Sequence, residues 1–245
     1  MKTGRLGKNT RRDFLQAVAA TWVVSSLPFA AHAASAAARM KIGIVGSGRV
    51  GGTLGSVWAK AGHTVMFSSL DLEHDKALAA GIGPNARAGT SREAAAFGDV
   101  LLISVPYHAL PQVGRDLGAL LKGKVVIDTS NPIPGRDGEV GERARAKGAG
   151  LASMEYLPGA RIVRAFNAIG AARMGEAHKN PGQVGMPIAG DDAQAIEIAS
   201  GLIREIGYEP VLIGGAVMGR HLVPREALGG EHTPDEIRKI AATLK

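Results

Sequence analysis

The apolar run Met40–Val45 empties into Gly46-Ser47-Gly48-Arg49-Val50-Gly51, and behind it Leu54, Val57, Trp58 and Ala61 recur at helical spacing. No other feature constrains the chain as much, because a strand, a tight turn and a helix must follow one another here without a break. Gly46 admits the turn, Gly48 lets the main chain approach a pyrophosphate, and Gly51 lets helix and strand pack closely. Unpaired N–H groups and the dipole at the helix start favour an anion. Gly62-His63 then turns into a second predicted strand, Thr64–Ser69. The unit fits a dinucleotide, and valine at Gly48 or Gly51 is expected to abolish its binding while largely keeping the fold.

The alternation continues along the chain. Residues Asp75–Ala80 read as helical, and Thr90-Ser91-Arg92-Glu93 reads as a capping box opening a helix through Phe97. Asp99–Val105 and Lys124–Thr129 have the apolar character of parallel strands covered on both faces, with a helix, Leu110–Leu121, between them. Beyond the turn-rich Asn131–Gly141 come a helix (Glu142–Leu157), a strand (Arg161–Asn167), a short strand (Met186–Ala189), a helix (Asp191–Ile206), a strand (Glu209–Ile213) and a helix from Pro234. Hydrophobic residues make up 45% of the chain and aromatic ones only 4%, so the core is aliphatic. The predicted class is α/β, a single Rossmann-type doubly wound, mostly parallel sheet. Residues 40–219 form its NAD(P)-binding domain, and residues 220–245 a C-terminal tail.

Residues 1–39 stand apart. Thr10-Arg11-Arg12-Asp13-Phe14-Leu15 followed by an uncharged stretch and Ala31-His32-Ala33 resembles a bacterial twin-arginine export signal with an A-x-A cleavage site. The expectation is an exported, periplasmic protein cleaved near Ala33, with the twin-arginine export machinery as a partner. The formal charge of +7 is concentrated there: the first 33 residues hold five basic residues and one acid, leaving 24 basic against 21 acidic in the rest. That mild balance, without a basic stripe interleaved with aromatics, argues against nucleic-acid binding. The chain has no cysteine, so disulfides and thiolate chemistry are excluded. The histidines lack metal-ligand spacing, no metal is expected, and the compact Glu73-His74-Asp75 reads as a solvated loop.

Several further motifs follow the glycine loop in order: Ala61-Gly62-His63-Thr64-Val65 leading to Ser68-Ser69, Val105-Pro106-Tyr107-His108, Asp128-Thr129-Ser130-Asn131-Pro132, Val163-Arg164-Ala165-Phe166-Asn167 and Ala189-Gly190-Asp191-Asp192. With this set, from Lys41 to about Gly219, the chain resembles the NADP oxidoreductase family that includes coenzyme F420-dependent NADP reductases and the related cytosolic domain of the ferric-reducing STEAP proteins. The resemblance implies NADP as hydride carrier, F420 or a flavin as acceptor, and a homodimer. β-Hydroxyacid dehydrogenases and imine reductases share this kind of N-terminal domain but append a long helical one, and only 78 residues follow Asn167. The tail, Arg220–Lys245, does not match.

The family typically places arginine after the serine that ends the second strand, to grip the adenosine 2′-phosphate; this chain has Ser69-Leu70-Asp71. Asp71 would suit the free ribose of NAD, whereas Ser69 tolerates a phosphate and Arg49 supplies a charge, so NADP is expected with NAD as the alternative. Gly46, Ser47, Gly48, Arg49, Val50, Gly51, Ser69 and Pro106 are the expected cofactor-binding residues. His108 and Asn131, just past predicted strands, and Asn167, which ends one, are the expected catalytic residues facing a small-molecule redox acceptor. Asp191 and Asp192 read as helix caps. The expected function is hydride transfer between NADPH and a flavin-like acceptor; the alternative is a non-catalytic dinucleotide-binding sensor or structural module.

Overall fold

The glycine loop joins a strand, β1 (Lys41–Val45), to a helix, α1 (Arg49–Ala61), and the chain then runs β2 (Thr64–Ser68), α2 (Leu72–Ile82), β3 (Ala86–Ala88), α3 (Ser91–Phe97) and β4 (Val100–Ile103). It continues through α4 (Leu110–Leu121), β5 (Val125–Asp128), α5 (Gly138–Lys147), α6 (Ala149–Tyr156), β6 (Arg161–Arg164) and α7 (Ala171–Met174). It closes with β7 (Gly185–Gly190), α8 (Ala193–Ile206), β8 (Glu209–Gly214) and α9 (Pro234–Ala241). The structure is a computed structural model and describes Met1 and residues 39–244. The Arg11-Arg12 pair and the Ala31-His32-Ala33 site lie outside the described residues.

Eight strands form one sheet in the order β3-β2-β1-β4-β5-β6-β7-β8. All neighbours pair in parallel except β6 and β7. This is the α/β, doubly wound Rossmann-type arrangement, and the strand order reverses between β1 and β4. Burial on both faces explains the apolar strands: one core packs Ile42, Ile44, Leu102, Ile127 and Val163 against Leu54 and Trp58 of α1 and Leu202 and Ile206 of α8. The other packs Val45, Leu101, Ile103 and Val126 against Leu110 and Leu117 of α4. Trp58 is wholly buried and donates its indole N–H to the Leu202 carbonyl at 2.9 Å, fastening α1 to α8.

Two predicted elements differ, and one strand is new. The single helix Glu142–Leu157 is two, α5 and α6, because Gly148 adopts φ 101 between them, and α5 begins inside the stretch read as turns. A side chain at Gly148 would also meet Arg220, 3.4 Å away. The strand predicted to reach Asn167 stops at Arg164, since Phe166 takes φ 65 and wedges its ring edge-on between Trp58 and Tyr208. The edge strand β3 was not predicted, because its three residues, Ala86–Ala88, are too short a run to show a period.

Residues 220–244 pack onto the β7–β8 end of the sheet. Leu222, Leu228 and Ile237 are buried against Ala189 and Val211, and Gly185 N–H donates to the His232 carbonyl at 2.8 Å.

Candidate dinucleotide and acceptor site

The ends of β1, β4 and β5 converge on the glycine loop. Gly46, at φ 96, and Ser47 both donate their N–H groups to the Ser68 carbonyl, at 2.8 and 3.0 Å, locking the loop against the end of β2. A Cβ at Gly46 would lie 2.2 Å from the Ser104 carbonyl oxygen, and one at Gly51 would lie 2.1 Å from that of Gly46. These two glycines are therefore demanded by the protein's own packing. Gly48 is different: it has φ −64, and its Cβ would meet nothing within 4 Å. Its lack of a side chain leaves open space at the mouth of α1.

That helix start is also electrically open. Side chains cap α2, α3, α8 and α9 (Asp71, Thr90, Asp192 and Thr233); α1, like α4 to α7, has no side-chain cap, and it begins at Gly48 with no acid in its first turn. Uncapped N–H groups at a helix N-terminus attract an anion. The cradle fits the pyrophosphate of a dinucleotide. Arg49 is exposed beside it, while Val50 packs its side chain against the core and can contribute only main chain.

On the β2 side, Ser69 donates to Asp75 Oδ2 at 2.9 Å, and Ser47 donates its hydroxyl to Asp75 Oδ1. Asp75 has no exposed surface. The reading of Glu73-His74-Asp75 as a solvated loop is thus corrected: it lies in the first turns of α2, where the helical turn swings Asp75 inward and leaves Glu73 and His74 outside. Asp71 caps α2 by accepting the His74 N–H at 3.0 Å. Asp192 caps α8 as expected. Asp191 does not, because its carboxylate accepts the Ala216 N–H at 2.9 Å.

On the β4–β6 side the structure brings the three expected catalytic residues near one another in unequal roles. Pro106 precedes a short turn, Tyr107–Ala109. Tyr107 is buried, and its hydroxyl donates to the Ala149 carbonyl at 2.7 Å. Burial, reinforced by the Asp128 charge, pushes this phenol far up, so it stays protonated. His108 is half exposed, with Nδ1 2.8 Å from Asp137. Asn131 donates to the Asn167 carbonyl at 2.7 Å and accepts from Arg164 at 3.3 Å. The Asn167 side chain is buried, and its amide donates to the Asp128 and Ser130 carbonyls at 3.1 and 3.4 Å. Asn167 therefore meets Asn131 only through its main chain.

Two supporting groups were given no role by the sequence, although Asp128 and Arg164 lie within motifs quoted above. Arg164 and Asp128 form a buried ion pair at 2.6 Å, with Ser153 donating to the same carboxylate oxygen at 2.7 Å. Asp137 sits in a turn where only its partners mark it: burial raises its carboxyl, but the Arg136 guanidinium, the Ile133 N–H and His108 outweigh that and hold it down to about 2. A depressed folded-state value stabilises above the unfolded carboxyl range and is lost as pH falls through the folded one. Asp137 thus contributes about 2 kcal/mol that is complete above about pH 4 and disappears toward pH 2. In urea unfolding, Asp137→Asn is expected to cost most at pH 5 and to approach wild type near pH 2.

A cavity of about 500 Å³ opens beside Asn131, lined by Ile133, Arg145, Arg220, Arg225 and Glu226 among others. Arg145 reaches the Pro132 carbonyl and Arg220 the Lys147 carbonyl, each at 3.3 Å. Among the described residues, none of the three arginines forms an ion pair. Arg225 holds φ 72, a conformation a side chain adopts at a cost. Among the described residues, no group of three His, Cys, Asp or Glu side chains is placed to hold a metal ion.

The model of the family "NADP oxidoreductase coenzyme F420-dependent" matches residues 41–132. The match runs from β1 through the Asn131-Pro132 loop and so contains the cradle and the β4 and β5 ends. An F420-dependent NADP reductase of Methanothermobacter thermautotrophicus is 28% identical over 192 residues, spanning 72% of this chain and 82% of that protein. The structure of a candidate F420-dependent NADP-reductase from Arthrobacter sp. FB24 superposes with a TM-score of 0.60 at 20% identity, covering 74% of this chain and 87% of that one. An imine reductase from Myxococcus stipitatus, solved with NADP+, superposes with a TM-score of 0.53 at 17% identity, covering 72% of this chain but 56% of its own. Both structural likenesses are likenesses of fold.

Proposed function

We propose that this protein is an oxidoreductase that exchanges hydride between a nicotinamide dinucleotide and a planar redox acceptor of the deazaflavin or flavin kind. The uncapped N-terminus of α1 beneath an open Gly48 carries the reading, since its free N–H groups and the space before them suit a pyrophosphate. The family match over residues 41–132 and the reductase relative support the same class and point to NADP as the dinucleotide. Once bound, the dinucleotide supplies the hydride, so the protein needs to orient two rings and exclude water rather than to provide an acid–base pair.

The residues present suit that task. Arg136 donates to the Asn131 carbonyl at 2.7 Å while Arg164 and the Asn167 carbonyl hold its side chain, so Asn131 is fixed at the border between cradle and cavity. Asp137 orients His108, just past β4. The cavity beyond Asn131 takes the acceptor, and its three arginines against the single Glu226 favour one that bears an anionic group. Arg225→Ala is expected to raise KM for an anionic acceptor about tenfold or more, matching the ~1.5–3 kcal/mol of a charge-assisted contact, with dinucleotide affinity unchanged. Equal KM values for wild type and variant in steady-state assays would remove Arg225 from the acceptor pocket.

The deciding experiment follows dinucleotide oxidation spectroscopically by purified protein with F420, flavin, quinone and ferric-chelate acceptors. Turnover with one of them supports the enzyme. Tight binding without turnover above buffer supports the sensor alternative.

The leader belongs to the same proposal. The Arg11-Arg12 pair and Ala31-His32-Ala33 support export through the twin-arginine machinery to the periplasm. Replacing both arginines by lysine is expected to retain the precursor in the cytoplasm on fractionation; unaltered protein found there with residues 1–33 intact would contradict export.

A further inference from the structure

We propose that Asp75 selects the dinucleotide, turning the site against an adenosine 2′-phosphate and toward NAD(H). The inference rests on the dinucleotide reading above and departs from the NADP suggested by the family match.

In a doubly wound sheet the adenosine ribose lies at the end of the second strand beside the glycine loop. Asp75 is tied to both places. Its carboxylate accepts the hydroxyl of Ser47, inside the loop, and that of Ser69, just past β2, the latter at 2.9 Å. A serine whose proton points into a carboxylate has only lone pairs left for a ligand, and Ser69, the more exposed of the two, keeps one beside the one that takes the Asp71 N–H at 3.1 Å. Such lone pairs can accept from a free ribose hydroxyl, but a phosphate offers no proton for them. The carboxylate itself, wholly buried beneath the two serines, repels a second negative charge brought to the same spot.

The surrounding segment adds no compensation. From Ser68 to Asp75 the chain carries Asp71 and Glu73 but no lysine or arginine, and Leu70 is fully exposed where a cation could have stood. Lys76 is drawn to Glu73 at 2.8 Å. Asp71 caps α2 and its carboxylate adds to the negative charge there, while Asp75 is the one bonded to both serines. Arg49 is the single basic residue of the glycine loop.

The test is titration calorimetry of the whole protein with NADH and NADPH, and with ADP-ribose and its 2′-phosphorylated form, which need no variant. Wild type is expected to bind each unphosphorylated ligand at least tenfold more tightly than its 2′-phosphorylated partner. Asp75→Asn keeps the shape and can still bond both serines, so it is expected to narrow that ratio at least tenfold while holding NADH within a fewfold of wild type. A wild-type preference for NADPH, above all one abolished by Arg49→Ala, would overturn the proposal. So would a wild-type preference for NADH that Asp75→Asn leaves intact. Failure of all four ligands to bind would instead remove the dinucleotide reading, and this inference with it.

Discussion

Gly48→Val is expected to abolish dinucleotide binding, by a hundredfold or more in Kd, while the protein remains folded. The expectation comes from the asymmetry among the three loop glycines. A Cβ at Gly48 meets no protein atom within 4 Å, and φ −64 is open to any residue, so the folded chain has room for the branch. The room is the place where a pyrophosphate must approach the α1 N–H groups, and a branched side chain there excludes it. Replacing glycine as N-cap of α1 costs at most about 1 kcal/mol, or about 2–4 °C in Tm for a domain of this size.

Gly51→Val is expected to behave otherwise, contrary to the prediction that the two substitutions are equivalent. Its Cβ would stand 2.1 Å from the Gly46 carbonyl oxygen and 3.0 Å from Ile44, so backbone must move and the fold itself is destabilised, by about 1–3 kcal/mol or more. Calorimetry and thermal melts on both variants separate the cases. Dinucleotide binding by Gly48→Val within threefold of wild type would mean that the ligand does not use this loop.

The largest stability effect is expected at the Arg164–Asp128 pair. Both side chains are essentially without solvent contact, and the 2.6 Å bond joins the ends of β5 and β6. Removing one partner strands the other as an uncompensated buried charge, which costs about 3–5 kcal/mol. That is a large share of the roughly 5–15 kcal/mol that holds a domain folded. Arg164→Met is therefore expected to lower the denaturant midpoint strongly with little change in slope. Adding Asp128→Asn is expected to recover much of the loss, because it removes the stranded charge while its amide oxygen can still accept the Ser130 N–H that Asp128 accepts at 2.8 Å. Turnover should fall even in the recovered protein, since Arg164 also bonds Asn131 and the Ser130 carbonyl. A single variant within 1 kcal/mol of wild type would show that the pair is not the clamp described.

Signals confined to a turn or two of chain were legible from the residues alone. The strand–glycine–helix unit at 40–61, the capping box at Thr90, the apolar β4 and β5 and the expected pyrophosphate cradle all depend on neighbours in sequence, through backbone torsions and local hydrogen bonds. The motif residues past β4, β5 and β6 were also legible as strand ends, which placed His108 and Asn131 at the sheet's ligand edge.

Partner choice for buried polar groups was not legible, because it is decided by which strands lie side by side. Ser47 meets Asp75 across 28 residues, His108 meets Asp137 across 29, and Arg164 meets Asp128 across 36. Nothing near Asp75 in the sequence distinguishes it from the exposed Glu73 and His74; only the packing of α2 against the loop buries it. Likewise the arginines of the cavity come from α5 and from the tail, brought together by the fold of residues 220–244 over the sheet's end. The sequence by itself determined the cradle and the class of fold, since backbone geometry is a local property. The tertiary structure alone decided the burial of Asp75 against Ser47 and Ser69, the clamp under Asn131 and the walls of the cavity, since desolvation couples residues only after the sheet has ordered them.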